Sequence, residues 1–388
     1  MKKKIIILGS TGSIGRTTFN IIKKNKKLFD VCCLSTNSNI SLITKQAKEL
    51  KIKNLIINDV KAFNLAIKIY KNSNFNFYNS FSSILKIIKK KKIDYTMIAI
   101  SGLDALRPTL QMIRFSKNIA IANKESLICG WKLIDNSIKK YKTNFIPIDS
   151  EHFSIFTLIN NSNISNVDKI YITASGGPFL NLNLNKFKNI SINKALKHPN
   201  WEMGKKITID SSTMMNKVFE VIEAKNIFNL NYNQIKILTH PKSYVHAIVK
   251  FKTGFSTMLI HEPNMSIPIQ NSIEILKNKF FLSKGLNFKI LNKINFSKVN
   301  LKKFPLVKLL RKLPNENTLY ETILLSINDF FVLKFLEKKI TYLEMINYIY
   351  KFANFSPFLK YKRKIPQNVN EIYLLRDYVY LKLDNLRI

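Results

Sequence analysis

The sequence predicts an α/β protein that begins with a doubly wound parallel sheet. Short apolar runs alternate with helix-like segments from the N-terminus to Ile148, which is the pattern of successive βαβ units. The runs Ile5–Leu8 and Val31–Leu34 are continuously apolar, as expected of strands that are buried on both faces. The first run leads through a glycine into the helix-like segment Thr17–Lys24, so a strand–turn–helix unit opens the chain.

The same alternation predicts the remaining elements of this N-terminal part, residues 1–149. Helix-like periodicity separates the apolar runs, and the Asn-rich stretch Asn72–Asn79 is expected to be a surface loop. Further strands are predicted at Asn54–Ile57, Tyr95–Ile100, Ile119–Ala122 and Phe145–Ile148, and helices at Ser41–Leu50, Phe81–Lys89, Leu106–Phe115 and Trp131–Lys140.

The pattern changes after Asp149. Strand-like segments there surround a loop-rich stretch from Ala174 to Ile209 and a helix from Thr213 to Phe228, which predicts an α+β catalytic domain over residues 150–287. Residues 288–302 have no clear period and are interpreted as a linker, and a helical C-terminal domain is predicted over 303–388. The predicted strands of the α+β domain are Ile170–Thr173, Ile235–Leu238, Tyr244–Lys250 and Ser256–Ile260, and the C-terminal helices are Thr318–Lys338, Thr341–Phe352 and Asn368–Leu383.

The chain of 388 residues is strongly basic, with 63 Lys and Arg against 24 Asp and Glu and a net charge of +39. A nucleic-acid-binding protein is one interpretation, but such a protein concentrates its basic residues on one face or element. Lysines recur here from Lys2 to Lys382, which favours compositional bias. No nucleic-acid partner is therefore expected, although the positive field would attract phosphorylated substrates and cofactors.

The cysteine content and the apolar runs bear on the compartment. Three cysteines, Cys32, Cys33 and Cys129, imply no disulfide framework and suit a reducing environment. The chain has no run of about 18 apolar residues, so no membrane span is expected. A cytoplasmic enzyme fits these observations best.

The segment Gly9-Ser-Thr-Gly-Ser-Ile-Gly15 lies between the first strand and the first helix. Its glycines permit a tight turn and a close approach of the backbone to a pyrophosphate, and a helix N-terminus favours negative charge. This predicts a Rossmann-like dinucleotide site, with a purely structural turn as the alternative. The second strand is followed by Asn37-Ser38-Asn39, with no acid to bind a ribose 2′-hydroxyl, which favours NADP over NAD.

Two groups of acidic and polar residues predict a metal site. Asp149 and Glu151 follow a strand, and in an extended chain residues i and i+2 point the same way. Asn216, Lys217 and Glu220 lie three or four residues apart on a predicted helix and can share one face. Three carboxylates without His or Cys suit Mg²⁺ or Mn²⁺ rather than zinc. The alternatives are solvated loop acids and an ordinary helical ion pair.

Two loops of the α+β domain have compositions suited to a substrate. Ser175-Gly-Gly-Pro178 follows a strand and can wrap a phosphate with backbone N–H groups. His198-Pro-Asn-Trp-Glu-Met-Gly204 combines a histidine with an indole and a thioether, which predicts a lid that excludes water; packing against a neighbouring domain is the alternative. His240 and His246 lack further ligands at zinc-like spacing and are interpreted as core or loop histidines.

Seven motifs follow one another along the chain. They are Gly9–Gly15, Ala122-Asn-Lys-Glu-Ser-Leu127, Pro147-Ile-Asp-Ser-Glu-His152, Ser175-Gly-Gly-Pro-Phe179, His198–Gly204, Asp210-Ser-Ser-Thr-Met-Met-Asn-Lys217 and Glu220-Val-Ile-Glu-Ala224. In order and spacing they resemble the 1-deoxy-D-xylulose 5-phosphate reductoisomerase family. The resemblance extends from the N-terminus to about Ile269 and is weaker through the C-terminal helices.

The resemblance implies a role for each matching residue. Asp149, Glu151 and Glu220 would hold the divalent metal, and these three with Lys124 and His198 would be the catalytic set. The substrate would be contacted by Lys124, Ser150, Glu151, Ser175, His198, Trp201, Ser211, Asn216, Lys217 and Glu220. The cofactor would be bound by Thr11, Gly12, Ser13, Ile14, Asn37, Ser38, Asn39, Asn123, Glu125, Met203, Gly204 and Met265.

The implied activity is the NADPH- and metal-dependent isomerisation and reduction of 1-deoxy-D-xylulose 5-phosphate to 2-C-methyl-D-erythritol 4-phosphate, in the non-mevalonate isoprenoid pathway. The implied metal is Mg²⁺ or Mn²⁺, with Co²⁺ as a further candidate, and the implied assembly is a homodimer. The sequence departs from the family at Asn37-Ser38, where a glycine and a basic residue are common, and at Asn328-Asp329, where Asn-Glu is usual. Another Rossmann-type dehydrogenase, with Cys129 as its nucleophile, is the alternative.

Overall fold

The computed structural model describes residues 2–89, 91–159, 164–201, 203–274 and 287–386. The described strands form two sheets, one in each of two compact units. In chain order the strands are β1 (Lys3–Leu8), β2 (Phe29–Thr36), β3 (Asn54–Ile57), β4 (Asn76–Tyr78), β5 (Ile93–Ile98), β6 (Ser116–Ile121), β7 (Asn144–Pro147), β8 (Val167–Ala174), β9 (Ile235–Thr239), β10 (Val245–Phe251), β11 (Ser256–Ile260) and β12 (Ser297–Lys298).

Helices alternate with the strands of the first sheet and dominate the C-terminal part. The α-helices are α1 (Ser13–Lys24), α2 (Ile40–Leu50), α3 (Val60–Ile69), α4 (Ile84–Ile88), α5 (Leu106–Ile113), α6 (Lys124–Cys129), α7 (Trp131–Tyr141), α8 (Ser150–Ile159), α9 (Ile192–Ala195), α10 (Lys205–Ser212), α11 (Met215–Ile227), α12 (Ser266–Glu274), α13 (Phe288–Leu291), α14 (Leu319–Leu336), α15 (Tyr342–Ala353), α16 (Ser356–Leu359) and α17 (Val369–Asp384). Among the described residues, no helix is both long and apolar enough to cross a membrane.

The first compact unit comprises Met1–Ser126, Ile134–Asp149 and Met265–Ser283. It is built on a parallel sheet with the strand order β4-β3-β2-β1-β5-β6-β7. The apolar runs of β1 are buried because the sheet is covered on both faces: residues 5–8 are completely inaccessible to solvent. From β1 the chain adds strands β2 to β4 on one side of the sheet, and then β5 to β7 on the other side. The direction changes between β1 and β5, which are hydrogen-bonded neighbours. Ligands of open α/β sheets bind at such a switch point.

Two elements of this unit differ from the sequence prediction. Helix α3 was not predicted, because several of its apolar residues, among them Val60, Leu65 and Ile69, are exposed and do not form a stripe that marks a buried face. The predicted loop Asn72–Asn79 contains the short edge strand β4. Its three residues, Asn76–Tyr78, are too few to show a strand period, and its pairing with β3 is a backbone interaction.

The second compact unit comprises Leu127–Leu133, Ser150–Asn264 and Lys284–Ile388. Its sheet has the order β11-β10-β8-β9-β12, in which β8 and β9 are parallel and the other pairs antiparallel. Apolar residues of β8, β9 and β10 form one core with residues of α8 and α11, such as Ile155 and Val221. These elements therefore fix the position of α11, the helix that carries Asn216, Lys217 and Glu220.

The fold class predicted from the sequence is confirmed: a parallel doubly wound sheet, an α+β region and C-terminal helices. The division into three domains with a linker at 288–302 stays a prediction; the stretch contains the short helix α13 and the two-residue strand β12. The predicted helix from Thr213 to Phe228 is shorter and follows α10 directly. Met214, with a left-handed φ of 60°, separates the two helices.

Candidate active site

The glycines of the first loop are required by its geometry. Gly9 has a φ of +85°, and a Cβ atom on it would lie 2.5 Å from the carbonyl oxygen of Ala99. A Cβ atom on Gly15 would lie 2.1 Å from the carbonyl oxygen of Gly9. Gly12 is different, because a Cβ atom there would come no closer than 3.6 Å to another residue. Gly9 and Gly15 thus shape the turn, and Gly12 leaves open space at its surface.

This loop ends at the N-terminus of α1, beside the switch point of the sheet. Gly12 occupies the N-cap position and supplies no capping side chain, so the backbone N–H groups of Ser13 and Ile14 face outward from the first turn. The first turn also carries no acidic residue. The helix end is therefore suited to an anionic group.

The loop is joined to the end of β2 by hydroxyl hydrogen bonds. Thr11 Oγ1 lies 2.7 Å from Thr36 Oγ1, and the hydroxyl of Ser35 accepts a hydrogen bond from Gly9 N at 2.8 Å. Asn39 then caps α2 by accepting from Leu42 N. Residues 37–39, which are predicted to contact the ribose phosphate, therefore lie between a tethered strand end and a capped helix.

Lys124 and Asp149 form an ion pair in the first unit. Lys124 Nζ lies 2.6 Å from Asp149 Oδ2. Asn123, just before Lys124, donates to Glu125 Oε2 at 2.8 Å and accepts from Ser126 N at 2.8 Å. These bonds fix the start of α6 and with it the direction of the Lys124 side chain.

Glu151 and Glu220 meet at Lys217 in the second unit. Lys217 Nζ donates to Glu151 Oε1, and it lies 2.5 Å from Glu220 Oε2. The hydroxyl of Ser150 donates to the other oxygen of Glu151, and Asn216 donates to the other oxygen of Glu220. The predicted shared face of Asn216, Lys217 and Glu220 is thus present on α11.

The route by which Glu151 reaches this cluster differs from the prediction. An extended chain from Asp149 to Glu151 was expected, but α8 begins at Ser150, so Glu151 lies in the first turn of a helix. The argument that residues i and i+2 point the same way therefore does not apply here. Glu151 joins the cluster because α8 packs against α11 in one core.

The cluster is buried and its charges are balanced by direct contact. Burial disfavours the charged form of Lys217, but the neighbouring Glu151 and Glu220 carboxylates outweigh burial and raise the pKa of Lys217 above its usual value. The side chain of Glu220 is almost inaccessible, with 1% of the residue exposed. Buried carboxylates of this kind need a cation, which a lysine or a metal ion can supply.

Ser175 and His198 form a second polar pair in the same unit. Ser175 Oγ lies 3.1 Å from His198 Nε2 and accepts from Gly177 N at 3.1 Å. Backbone N–H groups of Asn200 and Trp201 donate to His198 Nδ1 at 3.2 and 3.0 Å. Since Nδ1 is an acceptor, the proton of the neutral ring is on Nε2 and is donated to Ser175.

His198 is neutral at physiological pH. Burial lowers its pKa, and the positive charge of Lys217 lowers it further, to about 4. Ser175 Oγ accepts hydrogen bonds from both the ring and Gly177, so its own hydroxyl proton is available for a ligand oxygen. The pair can therefore donate to a phosphate.

The segment around Trp201 packs over two further histidines. The indole of Trp201 contacts His246 edge-on with ring centroids 6.1 Å apart, and His246 stacks on His261 at 3.9 Å. His240 and His246 are buried, in agreement with their interpretation as core or loop histidines. Met203 is half-buried and Gly204 exposed, whereas Glu202 of the same motif lies outside the described residues.

Comparison with known proteins agrees with the motifs. A family model of 1-deoxy-D-xylulose 5-phosphate reductoisomerase matches residues 5–130, a model of that enzyme's C-terminal domain matches residues 145–228, and a DXP reductoisomerase C-terminal domain model matches residues 260–378. The chain belongs to the 1-deoxy-D-xylulose 5-phosphate reductoisomerase family.

Curated relatives support the same family over the full length. A reductoisomerase of Pelagibacter ubique is 53% identical over 387 residues, which cover 100% of each chain. That of Clostridium tetani is 36% identical, with 88% of this chain and 90% of the relative covered.

Solved reductoisomerase structures share the fold. The Zymomonas mobilis enzyme in complex with NADPH has a TM-score of 0.88 and 29% identity, and the match covers 100% of this chain and 99% of that one. A reductoisomerase in complex with NADPH, fosmidomycin and magnesium has a TM-score of 0.88 and 27% identity, and the match covers 97% of this chain and 96% of that one.

Membership of the reductoisomerase family confirms the predicted family and the predicted class, an NADP-dependent oxidoreductase. The alternative, a dehydrogenase with a cysteine nucleophile, is not supported: Cys129 is 0% exposed, so a substrate cannot reach its thiol. The roles of individual site residues stay predictions.

The sequence motifs also contain a residue to which no role was given. His152 is completely buried, and its Nε2 lies 2.9 Å from the carbonyl oxygen of Glu220. It therefore ties α8 to α11 next to the two carboxylates. Its place directly after Glu151 was the available signal, but a contact 68 residues away along the chain has no signature in the sequence.

Proposed function

We propose that this chain converts 1-deoxy-D-xylulose 5-phosphate to 2-C-methyl-D-erythritol 4-phosphate, with NADPH as the reductant and a divalent metal ion. The observation that carries the proposal is the buried cluster in which Glu151 and Glu220 flank Lys217. A dehydrogenase that only transfers hydride has no need of these carboxylates. The reductoisomerase solved with NADPH, fosmidomycin and magnesium supports the same set of ligands.

The proposed metal ligands are Asp149, Glu151 and Glu220. Glu151 and Glu220 present carboxylate oxygens to the same ammonium group, so a cation is accommodated between them. Asp149 precedes Glu151 by two residues. An all-oxygen donor set suits Mg²⁺ or Mn²⁺, with Co²⁺ as a further candidate. A bound divalent ion would supply Lewis acidity toward the carbonyl and hydroxyl oxygens of the substrate.

The proposed NADPH site begins at the Gly9–Gly15 loop. The free N–H groups at the start of α1 suit the pyrophosphate, and the neutral residues Asn37, Ser38 and Asn39 tolerate a 2′-phosphate better than a carboxylate would. Further proposed cofactor contacts are Thr11, Asn123, Glu125, Met203, Gly204 and Met265. NADPH supplies the hydride for the reduction.

The chain's own residues hold the substrate and exclude water. We assign the phosphate and hydroxyl groups of the substrate to Ser175, His198, Ser211, Asn216 and Lys217. Neutral His198 keeps the Ser175 hydroxyl oriented as a donor, which suits a dianionic phosphate. Ser150 and Lys124 are proposed to contact the part of the substrate that reacts. Trp201 is the proposed cover, since an indole held against His246 shields a site from water.

We also propose that the enzyme is a cytoplasmic homodimer. The cytoplasm is supported by the cysteine content, since three cysteines in a chain of 388 residues suit a reducing compartment. The homodimer follows from the family resemblance alone. Sedimentation velocity of the purified chain tests it, since a dimer has twice the mass of the 45.1 kDa chain.

A direct assay tests the proposed function. Purified chain is mixed with 1-deoxy-D-xylulose 5-phosphate, NADPH and Mg²⁺, and the nicotinamide absorbance is followed. We expect oxidation that requires all three components, stops with a chelator, returns with Mn²⁺ and is slower with NADH. A folded sample that never oxidises NADPH with this substrate would refute the proposal. Oxidation that continues in the chelator would refute the metal site alone.

A further inference from the structure

The two halves of the proposed phosphate subsite touch through their backbones. Gly177, in the turn that begins at Ser175, has a left-handed φ of +64°. A Cβ atom on it would lie 2.9 Å from the carbonyl oxygen of Ser211, at the end of α10. Any shift of the α10 end therefore changes the spacing between the hydroxyls of Ser175 and Ser211.

Tyr342, the first residue of α15, contacts both halves. Its hydroxyl donates to the carbonyl oxygen of Ser212 at 2.9 Å. Its ring packs edge-on against Phe179, which ends the Ser175–Phe179 turn, with centroids 5.3 Å apart. Only 1% of Tyr342 is exposed, so the side chain has one available position.

A second residue of the C-terminal helices holds the same helix end. Asn328 of α14 donates from Nδ2 to Asp210 Oδ1 at 2.8 Å, and both residues are buried. Asp210 directly precedes Ser211. Two independent side-chain bonds from α14 and α15 thus hold the residues on either side of Ser211.

We infer that Tyr342 is a positioning residue of the phosphate subsite, and that it acts through Ser212 and Phe179 to set the spacing of Ser211 and Ser175. Asn328 supports the same position from the other side of Ser211. The inference rests on the proposed function, because it takes these two hydroxyls as phosphate ligands. The C-terminal helices would then contribute to substrate affinity although none of their residues is among the proposed substrate contacts.

The test compares Tyr342→Phe with Tyr320→Phe in the full-length enzyme. Tyr320 is the matched control: it is also 1% exposed, and its hydroxyl also donates to a backbone carbonyl, that of Ala353 at the opposite end of α15 from Tyr342. Tyr320→Phe loses one buried hydrogen bond, whereas Tyr342→Phe loses the bond to Ser212 O and the 3.2 Å contact with Ser212 Oγ. Both variants should have a lower thermal unfolding midpoint, and the decrease for Tyr342→Phe should be at least as large. A purely structural role for Tyr342 predicts that the two variants also share the same kinetics.

We expect Tyr342→Phe to raise the KM for 1-deoxy-D-xylulose 5-phosphate and the Kd for inorganic phosphate by roughly three- to tenfold, the size of one hydrogen bond's contribution. The kcat and the KM for NADPH should stay within about twofold of wild type, as for an interaction equal in ground and transition states. Tyr320→Phe should leave all four constants unchanged. Asn328→Ala should repeat the Tyr342→Phe pattern.

Unchanged substrate KM and phosphate Kd in Tyr342→Phe would overturn the inference, as would equal increases in Tyr320→Phe. If Tyr342→Phe does not fold, the Asn328→Ala variant decides by the same criterion. Failure of the proposed function gives a different result, because the wild-type chain would then not turn over the substrate at all.

Discussion

The ring Nε2 of His198 lies 3.1 Å from the hydroxyl of Ser175, and the other ring nitrogen accepts two backbone hydrogen bonds. This arrangement requires a neutral imidazole with its proton on Nε2, because a charged ring has no lone pair to accept from the backbone. The same histidine is buried near Lys217, and both effects oppose its protonation.

His198 should therefore not titrate in the physiological range. Its pKa of about 4 predicts that its imidazole NMR signals stay those of a neutral ring from pH 8 down to about pH 5.5. A His198→Asn variant assigns the signals, since the chain has only 5 histidines. A midpoint near 6.5, the ordinary value for histidine, would contradict the burial and the tautomer together.

The same pKa predicts how the free energy of unfolding depends on pH. Between the ordinary value of 6.5 and about 4, the unfolded chain binds a proton at this position and the folded protein does not. His198 should thus lower the free energy of unfolding as the pH falls through this window, and have no effect above it. Denaturant unfolding of wild type and His198→Asn at several pH values isolates this contribution.

Removing one proposed metal ligand should abolish turnover. Glu220→Gln keeps the shape of the side chain but removes a charge from the pair that flanks Lys217. We expect Mn²⁺ affinity to fall by at least roughly tenfold and turnover by at least roughly a hundredfold, the lower and upper ends of the usual effect of an outer-sphere residue. Paramagnetic resonance of free Mn²⁺ measures the first and nicotinamide absorbance the second.

Glu321→Gln is the control for that prediction. Glu321 is also completely buried, but on α14, where its carboxylate accepts from Thr318. Burial raises the pKa of Glu321 to about 7, so its variant tests the general effect of replacing a buried carboxyl group. Both metal affinity and turnover should remain near wild type. Equal losses in the two variants would show that Glu220 acts through stability and not through the metal.

The glycine loop offers two substitutions with different expected effects. Gly15→Ala places a Cβ atom 2.1 Å from a backbone oxygen, so we expect a loss of about 1–3 kcal/mol in the free energy of unfolding, as for an overpacked core. Gly12→Ala has its nearest contact at 3.6 Å and should fold normally, while the added methyl group hinders approach of the pyrophosphate. NADPH titration should show weakened binding in folded Gly12→Ala, and unchanged affinity would place the pyrophosphate elsewhere.

The sequence predicted the parts of this structure that local patterns determine. The buried runs of the first sheet, the Gly9–Gly15 turn and the shared helix face of Lys217 and Glu220 all follow from residues close together in the chain. The edge strand β4 did not, because it has only three residues within an Asn-rich stretch, and its pairing depends on backbone bonds to β3.

Contacts between distant residues account for the rest. The bond from Tyr342 to Ser212 spans 130 positions, and that from Asn328 to Asp210 spans 118. Neither tyrosine nor asparagine at such a position differs in the sequence from an ordinary helical residue. Glu151 is a different case: it was expected in an extended chain, although Asp149 before Ser150 and the acidic Glu151 in the first turn are local signals of a helix start.

The residues after β2 allow a final prediction about the cofactor. Asn37, Ser38 and Asn39 lie between β2 and α2 and include no basic side chain for a 2′-phosphate. Ser38→Arg should therefore improve kcat/KM for NADPH by roughly tenfold, the value of a charge-assisted hydrogen bond, and leave that for NADH unchanged. Ser38→Asp should do the reverse, because a carboxylate repels the phosphate and binds a free 2′-hydroxyl. If both variants have wild-type ratios of kcat/KM for the two cofactors, the 2′-position is recognised by residues other than those that follow β2.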